Sequence, residues 1–232
     1  MGNNGRTLLL FAAGVGDKGL VRVLLEPSDV DPDSLDSNGR TPLSFAASGG
    51  HDNVVKLLLE RNEVNPDSRD HSDRIPLAFA AFGGHEGVVK LLLELSGGNP
   101  NLPDRSGRTP LSYAASRGHE GVVKLHLERN DVNPDLSDHD RRTPLSFVAS
   151  RGHEGVVKLL LEHSEVNPDS QDHTDRTPLS FAASKGNEGV VKLFLERGEA
   201  NPDSQDRNGK TPLSFPASGG HESVVKLLLK LD

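Results

Sequence analysis

The sequence predicts an all-α solenoid of stacked helix-turn-helix units joined by short β-hairpin or loop fingers. Three observations carry that expectation. The phrase Thr-Pro-Leu returns at Thr41, Thr109, Thr143, Thr177 and Thr211 in steps of 34 or 68 residues, and Thr7-Leu8-Leu9 and Ile75-Pro76-Leu77 complete seven copies. Self-similarity at such a period marks a stack of supersecondary units. Within each copy two short apolar patterns of helical spacing follow one another across a Gly-His pair, replaced by Gly16-Asp17 in the first copy and Gly186-Asn187 in the sixth. Finally, aromatics make up only 4% of the 232 residues, with no Trp and one Tyr. A stack of small cores, each touching only its neighbours, does not need the large anchors of one globular core.

The elements come in the same order in every copy. Asp36-Ser37-Asn38-Gly39 has the composition of a hairpin tip. Thr41 suits a helix N-cap, and Pro42 the first helical position, where a missing N–H costs nothing. Leu43, Ala46 and Ala47 give a first, short helix its inward stripe, and the alanines allow close approach. Gly50 ends that helix in the left-handed conformation open to glycine, and His51 opens the next turn. Val54, Val55, Leu57, Leu58 and Leu59 mark a second helix, read as the more buried of the two. Asp52, Lys56 and Glu60, like Glu86, Lys90 and Glu94, recur every four residues on its outer face, with modest ion-pair support. Asn65-Pro66-Asp67-Ser68 leaves the helix. Two copies carry faults. His126 stands where Leu58, Leu92 and Leu160 stand, and Pro216 replaces the alanine of Ala46 and Ala182 inside the last short helix. Both are read as tolerated defects.

The signature Thr-Pro-Leu, Ala-Ala, Gly-His, Val-Val-x-Leu-Leu-Leu strongly resembles the ankyrin-repeat family across essentially the whole chain. Tetratricopeptide repeats share the period but use bulky Trp, Tyr and Phe to space longer helices. The resemblance implies a single ankyrin-repeat array of about seven units near 1–35, 36–69, 70–103, 104–137, 138–171, 172–205 and 206–232, the first and last incomplete. Ankyrin repeats usually run to about 33 residues. The extra residue falls in the loop around Glu63-Val64-Asn65-Pro66-Asp67. Ser44 and Ser146 stand where the family's usual His follows Thr-Pro-Leu, which predicts one weakened hydrogen-bond position. The final copy lacks a polar outer face, so Val224 and Leu228 are expected to be partly exposed and to favour end-to-end self-association or fraying. The chain is read as part of a longer protein.

Charge and composition narrow the function classes. A net charge of -8 with interleaved signs opposes general nucleic-acid affinity, which needs a basic surface. The absence of cysteine removes disulfides and thiolate metal sites. Arg6 before the apolar run Leu8 to Ala13 imitates a short signal peptide, but the repeat register accounts for it. Met1-Gly2 imitates a myristoylation site, yet Arg6 stands where Ser or Thr is required. No apolar stretch approaches spanning length, and the expected location is cytoplasmic. Gly14-Val15-Gly16-Asp17-Lys18-Gly19 matches a dinucleotide fingerprint but follows a helix instead of a strand. Gly209-Lys210-Thr211 resembles the end of a phosphate loop, but Ser204 stands where its first glycine is needed.

His51, His85, His119, His153 and His221 form a column broken by Asn187. Layers about 8–10 Å apart cannot bring two such nitrogens to one zinc at about 2 Å. Asp67, Asp135, Asp169 and Asp203 form a column read as a solvated loop, not a calcium site. The sequence offers the same few groups in parallel columns, and no asymmetric constellation that catalysis would need. No catalytic, cofactor or metal residue is assigned, and the chain is read as a non-enzyme.

The copies differ at the finger tips and at the ends of the first helices, the two regions that line the partner-binding concave face in the ankyrin family. The candidates the resemblance implies are Phe82, Ser116, Arg117, Ser150, Arg151, Ser184 and Lys185 at the helix ends, with Arg105, His139 and His173 at the tips. Arg6, Arg40, Arg74, Arg108, Arg142, Arg176 and Lys210 form a second basic column. It is read as structural, pairing with aspartates such as Asp36, Asp70 and Asp104, beside a Phe column given a mixed role. The expected function is a protein–protein interaction scaffold, the ligand-sensing part of a larger protein, recognising a protein segment of acidic character, with no nucleic acid or membrane partner. The near-identical copies also resemble the amplified ankyrin arrays of fungal receptors with a nucleotide-binding switch domain. The competing readings are a structural spacer and an intramolecular regulatory segment of a multidomain enzyme or receptor.

Overall fold

The computed structural model describes residues 6–26, 30–95 and 97–229. The Met1-Gly2 pair and the Leu231-Asp232 terminus lie outside the described residues. Two compact units, Met1–Pro110 and Leu111–Asp232, divide the chain. The first holds three helix pairs: α1 (Leu8–Val15) with α2 (Lys18–Leu24), α3 (Pro42–Gly49) with α4 (Asp52–Leu59), and α5 (Pro76–Gly83) with α6 (Glu86–Leu95). Here α3 packs between α1 and α5, while α4 packs on α2 and α6. In the second unit α7 (Pro110–Arg117) and α8 (Glu120–Leu127) are followed by α9 (Pro144–Arg151) and α10 (Glu154–Glu162). Then come α11 (Pro178–Ser184), α12 (Glu188–Arg197), α13 (Ser214–Gly219) and α14 (Glu222–Leu228). There α11 packs on α9 and α13, and α12 on α10 and α14.

The caps follow the local chemistry. Thr41 Oγ1 accepts from Ser44 N–H at 3.2 Å, Pro42 occupies the first turn, and Gly50 closes α3 at φ 71°. A side chain at Gly50 would also collide with the His85 ring. Ile75 gives α5 no side-chain cap and instead buries its side chain to 1% exposure. The serine in place of the family's histidine loses no hydrogen bond. Ser44 Oγ lies 3.2 Å from Thr41 Oγ1, and Ser146 and Ser180 repeat the pair with Thr143 and Thr177.

The relative burial of the two helices is opposite to the sequence-based expectation. Five of the eight residues of α3 are buried but only three of the eight of α4, and α9 buries six of eight against four of nine for α10. A first helix meets both neighbouring first helices and its own second helix, whereas a second helix keeps one face in water.

The fingers take the loop form, with no strand among the described residues. Asp36 organises the first. Its N–H donates to Arg40 O at 3.0 Å, and its Oδ1 accepts from the N–H groups of Asn38 and Arg40, both at 2.9 Å. Burial opposes ionisation of Asp36, but the Arg40 and Asn38 donors outweigh it and hold the carboxyl below its usual range. Asp70 and Asp172 repeat the turn. Gly39 takes φ 77° there, and Asp73, Arg141 and Asp175 hold the same left-handed position at φ 61–64°, a cost that glycine avoids. Neighbouring fingers share single backbone bonds, such as His71 N–H to Asn38 O at 2.8 Å and His173 N–H to Asp140 O at 3.0 Å. One rung per junction is too little for a ladder.

The two faults have structural accounts. His126 is fully buried. Its Nδ1 lies 2.9 Å from Val122 O, which makes Nδ1–H the donor and leaves Nε2 a bare acceptor without a partner. Pro216 lies inside the last short helix, as the sequence implied, but in its first turn. The last short helix begins at Ser214 instead of Pro212, which places Pro216 in its first turn, where an absent N–H breaks nothing. The cap changes with it. Ser214 N–H donates to Thr211 O at 2.9 Å, and Thr211 N–H donates to Ser214 Oγ at 3.3 Å. Val224 and Leu228, expected to be partly exposed, are 0% and 6% exposed, on a helix that packs on both α12 and α13. Ala217 of the final pair is exposed and Val225 half-exposed, although Ala47, Ala183, Val55 and Val191 are buried at those positions in other copies.

His126→Leu is expected to stabilise the protein by about 1–3 kcal/mol at pH 7, since it removes an unpaired buried acceptor where Leu58 and Leu160 already fit. The gain should depend on pH. Burial pushes the ring pKa down to about 4, with Arg129 adding to the effect and the Val122 carbonyl opposing it. The unfolded chain therefore binds a proton near pH 6.5 that the folded chain refuses. Wild-type stability should fall relative to the leucine variant from about pH 6.5 to about pH 4, by about 3 kcal/mol in all. Paired denaturant melts across this range check it, and a constant difference would contradict the account. Pro216→Ala should extend α13 toward Pro212 and stabilise the last pair by about 1 kcal/mol, below the ~3 kcal/mol of a proline in a helix interior. Hydrogen exchange in that pair, unchanged by the substitution, would count against it.

Candidate functional site

The helix-end candidates of the second unit occupy one repeated position. Ser116 and Arg117 end α7, Ser150 and Arg151 end α9, and Ser184 ends α11 with Lys185 as its cap. Arg117, Arg151 and Lys185 are exposed, and the three serines are half-buried. A cation in this place also complements the negative end of its helix. Two of the serines turn back on their own helices. Ser116 Oγ donates to Tyr113 O at 3.0 Å and Ser184 Oγ to Phe181 O at 2.9 Å. In the first unit Phe82, at the end of α5, is 44% exposed.

The finger-tip candidates are partly engaged. Arg105 Nε lies 3.5 Å from Asp73 Oδ2. His173 Nδ1 sits 3.1 Å from Asp140 O and 3.8 Å from its carboxylate. Both tie one finger to the next, while His139 is exposed.

The second basic column is built into the fold. Arg40 Nε and Nη2 donate to Asp36 Oδ2 at 3.0 and 2.8 Å, and Arg74 repeats this with Asp70. The guanidinium groups also stack on the Phe column. Phe45 lies between Arg6 and Arg40, at 4.9 and 4.3 Å. Arg176 lies between Phe181 and Phe215, at 4.7 and 4.4 Å. Burial lowers the Arg176 pKa, with Asp172 and Asp206 acting against it, and its Nε finds no hydrogen-bond acceptor. The ring faces supply part of what the acceptor would have given. The constant spacing of Arg40 to Phe45, Arg74 to Phe79 and Arg176 to Phe181 was the sequence signal for this ladder.

The other columns serve junctions between copies. His51 Nε2 and His85 Nε2 lie 3.0 Å from Gly14 O and Ser48 O. Asn187 performs the same task, its Nδ2 donating to Ala149 O at 2.7 Å, which explains how asparagine can interrupt the histidine column. Asp67, Asp135 and Asp169 each accept from the backbone N–H of an asparagine in the following copy. A polar cleft of about 370 Å³ lies beside Asp135, Arg141, Asn167 and Asp169, where Asp135 Oδ2 and Asp169 Oδ1 are committed to these bonds. Among the described residues no three His, Asp or Glu side chains gather as a metal site, and no helix is long and apolar enough to cross a membrane.

The family model for ankyrin repeats, in units of three copies, matches residues 1–70, 77–172, 121–206 and 164–232. No curated protein matches the sequence significantly. The ankyrin repeat domain of human ASB11 is similar in structure, with a TM-score of 0.85 and 29% identity over 98% of each chain. The ankyrin repeat domain of Bcl-3, described as a unique member of the IkappaB protein family, has a TM-score of 0.82 and 23% identity over 98% of this chain and 100% of that one. The fold is one that serves as a non-catalytic scaffold for protein–protein interaction, and with its family model matching nearly every residue the chain belongs to the ankyrin-repeat family.

Proposed function

We propose that this chain recognises a protein segment of acidic character through the helix-end surface of its second unit, as the ligand-sensing part of a larger protein. The carrying observation is the set of three exposed cations, Arg117, Arg151 and Lys185, at one equivalent position of three first helices. The surface around them supports a polar mode of recognition. Among the described residues of Leu111–Asp232 the only exposed large hydrophobic residue is Leu229. The protein's net charge of -8 repels an acidic partner elsewhere and favours its arrival at the basic positions. Such complementarity governs association rate and register more than affinity. His139 and the three serines are secondary members of this surface, and Phe82 is the corresponding helix-end candidate of the first unit. Arg105 and His173 contribute mainly by holding the fingers.

Self-association is also proposed, from a different observation. Leu8 is 57% and Phe11 54% exposed on α1, whereas at those positions in other copies Pro42 is buried and Phe181 is 6% exposed. Ala217 is exposed and Val225 half-exposed on the last pair. Within the first unit Phe45 packs against Gly14, 3.3 Å from a Cβ placed there. The open face of α1 and that of the last pair are therefore the two halves of an interface that the chain already uses internally. Two copies joined this way form a heterologous contact, which leaves a free face at each end for further copies.

Reversing Arg117, Arg151 and Lys185 together to Glu should abolish capture of the partner from a lysate, at a folding cost of about 0.5 kcal/mol per site. Reversing Lys90, Lys124 and Lys158 on the second helices is the matched control and should leave capture intact. If both triple variants capture as well as the parent, the helix-end surface is not the binding face; loss in the control alone moves the partner to the second helices. For self-association, light scattering should show a mean mass that rises continuously with concentration, and Phe11→Glu should suppress the rise. A constant monomer mass throughout the series would refute it.

A further inference from the structure

We propose that the segment bound by Arg117, Arg151 and Lys185 is an extended chain in the polyproline-II conformation with an acidic residue at every third position. This rests on the helix-end reading above and adds the ligand's conformation and register. The three cations recur once per copy on first helices, and packed helices lie about 8–10 Å apart. A ligand that pairs with all three must present carboxylates at that interval along a single face.

The regular conformations of a peptide differ in this respect. A polyproline-II chain has three residues per turn and rises about 3.1 Å per residue, so positions i, i+3 and i+6 share a face about 9 Å apart. A β-strand rises about 3.3 Å per residue and returns to the same face every second residue. Its same-face carboxylates fall about 7 Å apart, and every third residue faces away. An α-helix comes near the interval only every seventh residue, about 10 Å along its axis. A helix in a groove is held by an apolar face, and this unit exposes no large hydrophobic residue except Leu229 among its described residues. Phe147 and Phe181 are only 8% and 6% exposed, with Phe181 covered by the Arg142 and Arg176 guanidinium groups. The surface offers charge at a fixed interval and no apolar trough, which favours the extended ligand. Polyproline-II chains also lose little conformational freedom on binding, which suits a surface that holds its ligand mainly by charge.

The test uses the full 232-residue chain and fluorescein-labelled synthetic peptides of equal length and charge, followed by fluorescence anisotropy. One peptide carries three Glu-Pro-Pro units. A second has the same residues with the glutamates contiguous, a third alternates Glu with Thr, and a fourth is an alanine-rich helix with Glu at every seventh position. The Glu-Pro-Pro peptide should bind at least about tenfold tighter than each of the others, because it engages three cations at once without first having to form a short helix that is unstable alone. The Arg117, Arg151 and Lys185 reversal to Glu should remove both its binding and its advantage. If all four bind alike and the reversal abolishes them all, the register inference is wrong while the helix-end surface stands. Tightest binding by the helical or alternating peptide overturns the inference in the same way. If no peptide binds, the inference fails. Binding that survives the reversal overturns the helix-end surface as well.

Discussion

A single helix pair of this chain cannot bury its own apolar surface, so every copy depends on its junction with the next. Ala46, Ala47, Leu43 and Val55 have no exposure at all, which no isolated pair of eight-residue helices could achieve. Helices this short are unstable alone, since nucleation costs more than a few turns return. The alanines let first helices approach closely, and Leu58 and Val54 fill the layer behind them. Stability then arises as a sum of unit and junction contributions, passed between nearest neighbours. A fault such as His126 is survivable because its cost falls on one unit and the two junctions beside it.

The polar groups follow the same logic of adjacency. Asp36 holds its own finger, but Asp67 accepts from Asn99, His85 reaches Ser48 and Arg105 reaches Asp73 in neighbouring copies. Most side chains that look like ligand-binding columns in the sequence are thus spent on junctions. Repetition makes this inevitable: a group that satisfies one junction is retained in every copy, because every junction poses the same unpaired donors and acceptors. Positions free to differ are those the junctions do not use. Arg117, Arg151 and Lys185 stand at a position whose counterparts in other copies are Val15, Gly49, Gly83 and Gly219.

A recognition surface with few exposed apolar side chains has a particular energetic character. Area burial contributes little there, so binding rests on ion pairs that are weak one at a time in water. Such a surface gains selectivity from the simultaneous fit of several charges, a task for which a rigid stack with a fixed interval is well suited.

The sequence by itself determined the repeat, the two helices of each copy, their caps at Thr41 and Gly50 and the family, because those follow from spacing and from local chemistry within a few residues. It also showed where copies differ, which needs only alignment of the chain with itself. Tertiary structure decided what depends on neighbours. It made the first helix the more buried one, since contacts on both sides cannot be read from one helix's pattern. It gave His51 and Asn187 the same role, visible only when the next copy supplies the carbonyl. Asp73, Arg141 and Asp175 were found in left-handed backbone where the sequence has no glycine to announce it. The start of α13 moved past Pro212, a choice between competing caps that propensity leaves open. Burial of Val224 and exposure of Ala217 followed from which side of the last pair meets its neighbour, and direction in space is the one property a repeat pattern does not carry.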